Sequence, residues 1–269
     1  MKLGLFGRPV SHSRSPKLFG MLSLLLKRPI YYHAVEVKKD GFAAAAQRAR
    51  KLGWRGVNVT IPFKLEAANF ATRLTAAARV IGAVNTLRFD ATTTYGHNTD
   101  ASGLMDSLKR AGVVMSGKNA LIFGAGGAAR AAGYALARGG ARNVHFTNRT
   151  ASTAKDCARA LAPSFPKTSF SSGAPRNADI WVNATPLGLK GYPDKSPAPT
   201  SLRAPEAAVD LVYGKRTAFQ RQTAKNGARI LDGLPMLVFQ ALRAFEFWDK
   251  PFTAARRAAL AETLIKELS

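Results

Sequence analysis

Residues 119–130 read NALIFGAGGAAR, an apolar run that breaks into Gly124-x-Gly126-Gly127-x-Ala129. A second apolar run, Asn143 to Thr147, follows about twenty residues on and ends in Asn148-Arg149-Thr150. A strand that turns tightly into a helix while its bare N–H groups approach a pyrophosphate needs residues without bulk, and the glycines supply them. Ala129 fits the third small position. The spacing predicts a nucleotide-binding βαβ unit; a Gly-rich turn serving only helix–strand packing is the blander reading, and the flanking strands favour the ligand.

The second strand selects the cofactor. An NAD site ends this strand in an acidic residue that holds the adenine ribose, whereas here Asn148 and Arg149 stand at that point. Arg149 would meet a 2′-phosphate instead, so the expected cofactor is NADP.

Working outward, strand-like runs at Lys2 to Phe6, Ile30 to Val37, Gly56 to Thr60 and Ala83 to Phe89 alternate with helical stretches at Ser15 to Leu26, Asp40 to Leu52 and Phe63 to Phe70. That is the pattern of an α/β sheet with parallel strands. A helix from Asp100 to Arg110 leads into the Gly-rich unit. Beyond it come a helix at 150–161, strands at 178–183 and 207–212, a helix at 217–226 and a strand at 228–231, a Rossmann-like series. Residues 186–206, rich in Pro, Gly and Lys, read as a mobile surface loop. After Gly233, Leu234, Leu237, Val238, Ala241, Leu242 and Phe245 recur at helical spacing. This helix and a last one at about 253–267 are expected to pack back on the first domain. The fold class is therefore α/β with two domains: residues 1–100 plus 234–269 form an open mixed or parallel substrate domain, and 101–233 form a Rossmann-like NADP domain. A ligand site in a cleft between them is expected.

The chain of 269 residues, 46% hydrophobic, is long enough for a sizeable core. Leu18 to Leu26 is too short to span a bilayer and is cut by Lys27 and Arg28, so a cytoplasmic protein without a membrane span is expected. The single cysteine, Cys157, excludes an internal disulfide and a cysteine-rich zinc site, and a buried packing role is expected for it. No metal is expected. The net charge of +24 is spread over predicted helix faces without a basic tail or aromatic-interleaved stripe. It suits an anionic small molecule better than a nucleic acid, which is not expected as a partner. A monomer or a homodimer fits the sequence equally well.

Polar clusters stand at predicted strand ends or helix starts: Ser13-Arg14-Ser15-Pro16, Asn58-Val59-Thr60 with Lys64, and Asn98-Thr99-Asp100. Asn85 lies inside an otherwise apolar strand. Each has a plain structural alternative. Ser13 or Ser15 before Pro16 suits a helix N-cap, Asp100 suits the N-cap of the next helix, and Lys64 suits a solvated charge.

Taken together, the ordered motifs resemble one family. GRPVSHSRSP at 7–16, GVNVTIPFK at 56–64, IGAVNTL at 81–87, GHNTD at 96–100, GAGGAARA at 124–131, NRT at 148–150, NATPLG at 183–188, DLVY at 210–213 and GLPMLVFQA at 233–241 are similar to the shikimate dehydrogenases over nearly the whole chain. These are the NADP-linked enzymes of aromatic amino-acid biosynthesis. The resemblance implies reversible NADPH-dependent reduction of 3-dehydroshikimate to shikimate. It implies Lys64 and Asp100 as catalytic pair, Ser13 and Ser15 on the substrate carboxylate, Asn58, Thr60 and Asn85 on ring hydroxyls, and Gln240 and Tyr213 completing that pocket. It places Gly124, Ala125, Gly126, Gly127, Ala128 and Ala129 on the pyrophosphate, Asn148, Arg149 and Thr150 on the 2′-phosphate, and Thr185, Val212, Gly233 and Met236 near the nicotinamide. Hydride reduction leaves the ketone oxygen negative, so a cation and proton donor there is chemically apt. Thr153 stands where many NADP-using relatives carry a second arginine, with Lys155 two places on, and Ala101 replaces a usual glycine. The alternatives are a quinate/shikimate dehydrogenase using NAD or both cofactors, against which Arg149 argues, a cofactor-binding regulator without catalysis, and a nucleic-acid-binding Rossmann protein.

Overall fold

Leu, Val and Phe in short runs form the first sheet of the computed structural model, which describes residues 1–269. β1 (Lys2–Gly7), β2 (Tyr31–Glu36) and β3 (Gly56–Val59) alternate with α1 (Ser15–Leu26) and α2 (Phe42–Lys51). They pair in parallel with β1 in the middle. The parallel alternation then stops. After α3 (Lys64–Phe70), β4 (Arg73–Leu74) and α4 (Ala76–Ile81), β5 (Thr86–Phe89) runs antiparallel to β3, and β6 (Thr94–His97) runs antiparallel to β5. The reversal is local: Asp90 N–H donates to Thr93 O at 2.9 Å and closes a turn that returns the chain beside itself. The sheet order is β2-β1-β3-β5-β6-β4, a mixed sheet with Phe6, Val57, Val59, Phe63 and Leu87 in its core.

Two details differ from the sequence expectation. β5 begins at Thr86, so Asn85 precedes the strand instead of lying inside it. β4 and β6 were not anticipated, because RL and TYGH are too short and too polar to carry a period.

The second sheet is parallel throughout. After α5 (Thr99–Arg110), β7 (Asn119–Phe123), α6 (Gly127–Arg138), β8 (Asn143–Thr147), α7 (Ala151–Leu161) and β9 (Ser169–Ser172) build one half. β10 (Ile180–Asn183), β11 (Ala207–Asp210), α8 (Ala218–Lys225) and β12 (Arg229–Leu231) build the other. The order β12-β11-β10-β7-β8-β9 reverses direction between β7 and β10, the doubly wound arrangement. β10 and β11 are buried at every residue, as strands covered on both faces are. β9, with the sequence SFSS, has no apolar signal and was not expected.

Residues 186–206 form neither helix nor strand, as read, but they are tethered where a mobile loop was expected. Asp194 accepts from Ala218 N–H at 2.9 Å and from Arg221 at 2.9 Å, and Ala198 lies in the core with Phe219.

The last helices are α9 (Leu234–Trp248) and α10 (Ala254–Leu268). The chain forms two units, Met1–Gly103 with Leu237–Ser269, and Leu104–Met236. The return of the C-terminal helices to the first unit is pinned by Trp248 Nε1 donating to Leu87 O at 2.8 Å and by Arg14 donating to Leu268 O at 2.5 Å. No helix is long and apolar enough to cross a membrane.

Candidate active site

In the first unit the register puts the expected polar residues on one edge of the sheet. β1 and β3 are parallel, so the segments that leave them, toward Ser13 and Ser15 and toward Thr60 and Lys64, depart from the same edge. β5 starts there because Asn58 pairs with Thr86, and β6 ends there because Thr86 pairs with His97. Asn85 and Asn98-Thr99-Asp100 therefore arrive at the carboxyl edge of β1 and β3, where α/β sheets bind ligands.

Lys64 is the first residue of α3, a position where the helix dipole disfavours a cation, so helix formation does not account for it. Its Nζ lies 2.6 Å from Asp100 Oδ2, with side-chain exposures of 15% and 9%. That contact removes the reading of Lys64 as a solvated charge. Asp100 is in the first turn of α5, where a carboxylate is stabilised, but it does not cap the helix. Asn98 does so, accepting from Ala101 N–H at 3.4 Å. Asp100 Oδ1 is held from the other side by Asn85 Nδ2 at 2.8 Å. Two donors on separate oxygens fix the carboxylate plane, and one Lys64 N–H in the pair leaves others for a further acceptor.

Asn85 also donates to Thr99 Oγ1 at 2.9 Å and approaches Gln240 Oε1 at 3.5 Å. Gln240 reaches it because α9 lies close over α5 at Gly103, where a Cβ would sit 2.7 Å from Gln240 N. Asn58 is tied inward, accepting from Tyr32 Oη at 2.8 Å and donating to Asn85 O and Thr86 Oγ1 at 3.3 and 3.1 Å. The structure thus joins Lys64, Asp100, Asn85, Asn58 and Gln240 in one bonded set. Ser13, Ser15 and Thr60 stand outside that set. Neither serine caps α1: its N-cap is Arg14, whose side chain makes no capping hydrogen bond, and Ser13 Oγ accepts from Ser15 N–H at 3.2 Å, leaving its own proton for another partner. Tyr213 belongs to the second unit, on the segment after β11.

In the second unit the turn is built as its glycines demand. Gly124 has φ +114°, and a Cβ there would meet Ala184 O at 2.9 Å. Gly126 is the N-cap of α6, and a Cβ on it would meet nothing within 4 Å, which leaves an open face at a helix N-terminus. Gly127 and Ala128 open the helix, Ala125 is half-buried, and Ala129 is fully buried against the sheet. These features fit a pyrophosphate. At the end of β8, Asn148 donates to Thr153 Oγ1 at 2.7 Å and Thr150 O at 3.3 Å, and Arg149 is exposed. Cys157 is buried, donates toward Ala125 O at 3.3 Å, and has its thiol pKa pushed up by burial.

Thr185, Val212, Gly233 and Met236 share the second unit with the turn. A carboxylate that sequence reasoning assigned no role arranges the first three. Asp210, fully buried, accepts from Asn183 Nδ2 at 2.9 Å, Val212 N at 3.1 Å, Thr217 Oγ1 at 2.5 Å and Gln220 Nε2 at 3.3 Å. Asn183 Oδ1 accepts from Thr185 Oγ1 at 2.6 Å, and Val212 O accepts from Gly233 N–H at 3.1 Å. The signal available in the sequence was an acidic residue at the end of an apolar strand.

A doubly wound unit with a phosphate-type turn, joined in one chain to a mixed α/β unit carrying a Lys–Asp pair, defines a dinucleotide-linked oxidoreductase class. Residues 5–87 match the family description "Shikimate dehydrogenase substrate binding domain". Shikimate dehydrogenase (NADP(+)) of Bordetella petrii is 41% identical over 277 residues, covering 96% of each chain, and that of Methylobacillus flagellatus is 39% identical, covering 96% of this chain and 98% of the relative. The crystal structure of shikimate 5-dehydrogenase from Thermus thermophilus, in complex with NADP(H) and shikimate, matches with a TM-score of 0.84 at 33% identity, covering all of both chains. The chain belongs to the shikimate dehydrogenase family.

Proposed function

We propose that this protein reversibly reduces 3-dehydroshikimate to shikimate with NADPH, with the first unit binding the substrate and the second the cofactor. The observation that carries the reading is the Lys64–Asp100 pair, 2.6 Å apart, at the ligand edge of the first sheet.

NADPH, when bound, supplies the hydride. As the carbonyl carbon is reduced its oxygen becomes negative, and Lys64 gives that oxygen a proton; in the oxidative direction the neutral amine takes it back. Asp100, held by Asn85, keeps the ammonium aimed and offsets its charge while it is poorly hydrated. Ser13 and Ser15 bind the substrate carboxylate as hydroxyl donors. Asn58, Thr60, Asn85 and Gln240 border the ring hydroxyls, and Tyr213 closes the carboxylate end. Gly124 to Ala129 hold the pyrophosphate, Asn148, Arg149 and Thr150 hold the 2′-phosphate, and Thr185, Val212, Gly233 and Met236 shape the nicotinamide side. The substrate and cofactor are anionic and water-soluble, in keeping with the basic charge balance and with work in the cytoplasm.

The test is the initial rate of cofactor reduction with shikimate or quinate, each paired with NADP or NAD. Activity concentrated on shikimate with NADP is the expected result. Comparable rates with quinate or NAD would replace this reading by a dual-specificity one, and no activity in any pairing would remove it.

A further inference from the structure

Thr86 and Tyr32 have no part in the reaction as proposed, yet both stand in a series of hydrogen bonds that ends on its reacting pair. The amide orientations in that series are fixed by chemistry. Asn85 Oδ1 lies 2.7 Å from Thr99 N, which only donates, and Asn85 Nδ2 lies 2.8 Å from the Asp100 carboxylate, which only accepts, so this amide has one orientation. Asn58 Nδ2 faces Asn85 O, an acceptor, so Asn58 Oδ1 faces Tyr32 and the phenol donates. Thr86 Oγ1 accepts from Asn58 at 3.1 Å, and the nearer acceptor for its one proton is Asn85 Oδ1 at 3.0 Å, with Thr99 Oγ1 at 3.3 Å. Every donor in the order Tyr32, Asn58, Thr86, Asn85 points toward Asp100.

The series is dry where it matters. Thr86 and Thr99 are fully buried, Asn85 is 3% exposed and Asn58 is 5% exposed, so water cannot replace a lost partner. The outer end is anchored by packing: the Tyr32 ring stacks on Phe19 with centroids 4.2 Å apart and planes 7° from parallel.

We infer that Thr86 is a positioning residue for the reaction, its hydroxyl committing the Asn85 amide to Asp100 and so holding the carboxylate that holds Lys64, with Tyr32 fixing the far end. The inference rests on the reading of Lys64 and Asp100 as the reacting pair. Thr86→Val keeps the shape but leaves Asn58 Nδ2 and Asn85 Oδ1 each one partner short. Thr99 N–H still prevents a flip of the Asn85 amide, so the expected error is a displacement, not an inversion.

The experiment compares kcat, both KM values and thermal stability for wild type, Thr86→Val, Thr86→Ser, Tyr32→Phe and Lys64→Ala. Thr86→Val is expected to lower kcat about tenfold to thirtyfold, the scale of sub-ångström misplacement, with KM for NADP unchanged because that site lies in the other unit. Thr86→Ser, which restores the hydroxyl, is expected within about threefold of wild type, and Tyr32→Phe between the two. Wild-type kcat in Thr86→Val overturns the inference, and so does equal impairment in Thr86→Ser, which would assign the loss to the side chain's packing. If Thr86→Val does not fold, Tyr32→Phe decides: reduced kcat at unchanged KM for NADP supports the inference and wild-type kcat overturns it. Lys64→Ala separates the two levels. Full turnover there sinks the reacting pair itself, while an inactive Lys64→Ala beside a fully active Thr86→Val sinks the positioning role alone.

Discussion

Each unit places one buried polar knot at the carboxyl edge of its sheet, one centred on the amide of Asn85 and the other on the carboxylate of Asp210. The Asn85 knot opens onto ions: its N–H holds Asp100, which holds Lys64, and the ammonium keeps further N–H bonds to give. The Asp210 knot is closed. Its two oxygens take four neutral donors, two side-chain amides, a hydroxyl and a backbone N–H, and none of these carries a proton that moves at ordinary pH. Burial raises the Asp210 pKa while those four bonds oppose the rise. In the proposed reaction the carboxylate beside the lysine serves the chemistry, whereas the one surrounded by neutral donors holds the segments around it in place. Residue type does not separate the two; the partners do.

That contrast can be broken in order of effect. Lys64→Ala should lower turnover by about a thousandfold, within the range of a lost acid–base group, while NADPH binding measured by fluorescence is retained. Undiminished turnover would close the first knot's claim to chemistry. Asp210→Ala should act the opposite way, costing roughly 3 kcal/mol of stability by stranding several buried donors, as read by urea unfolding. A variant with wild-type stability would show that the second knot holds nothing.

His97 sharpens the comparison through pH, because its carbonyl accepts from Asn85 N–H at 3.1 Å beside the first knot. Burial, with the Arg243 cation adding to it, pushes the imidazole pKa down to about 4 from 6.5. The folded state then binds fewer protons than the unfolded chain between those values. Stability is complete above pH 6.5 and is lost as the pH falls toward 4, by up to roughly 3 kcal/mol. Melting curves of His97→Gln between pH 7 and 4.5 should be flatter than those of wild type, and an unchanged slope would assign the acid sensitivity elsewhere. The smallest effect expected is that of Arg149→Ala, a rise of about tenfold in KM for NADPH with KM for NADH unmoved, the value of one exposed charged contact. Equal changes for both cofactors would remove Arg149 from the 2′-phosphate.

Much of the frame was legible in the chain. The period of apolar residues gave α1 and most strands nearly to the residue, and the glycines gave the turn between β7 and α6. The failures have a common cause: β4, β6 and β9 are held by neighbouring strands and carry too few apolar residues to announce themselves. Local capping rules likewise misassigned Asp100 and the serines, since Asn98 and Arg14 occupy those positions and the carboxylate is taken by Lys64, 36 residues away in sequence. Asp210 and Thr86 lie inside quoted motifs, but only their partners reveal what they hold.

Features that depend on neighbours within a few residues are set locally along the chain: a phosphate-type turn at Gly124 to Ala129, the lack of an acid at Asn148 and Arg149, and two runs of alternating strands and helices. Tertiary structure alone decided the partner of each polar group. The antiparallel pairing of β5 with β3 and with β6 brings Asn58, Thr86 and Asn85 to the edge where Lys64 and Asp100 meet. That choice follows from register and from the cost of burying a polar atom unpaired, which are properties of segments that find each other only when the chain has folded.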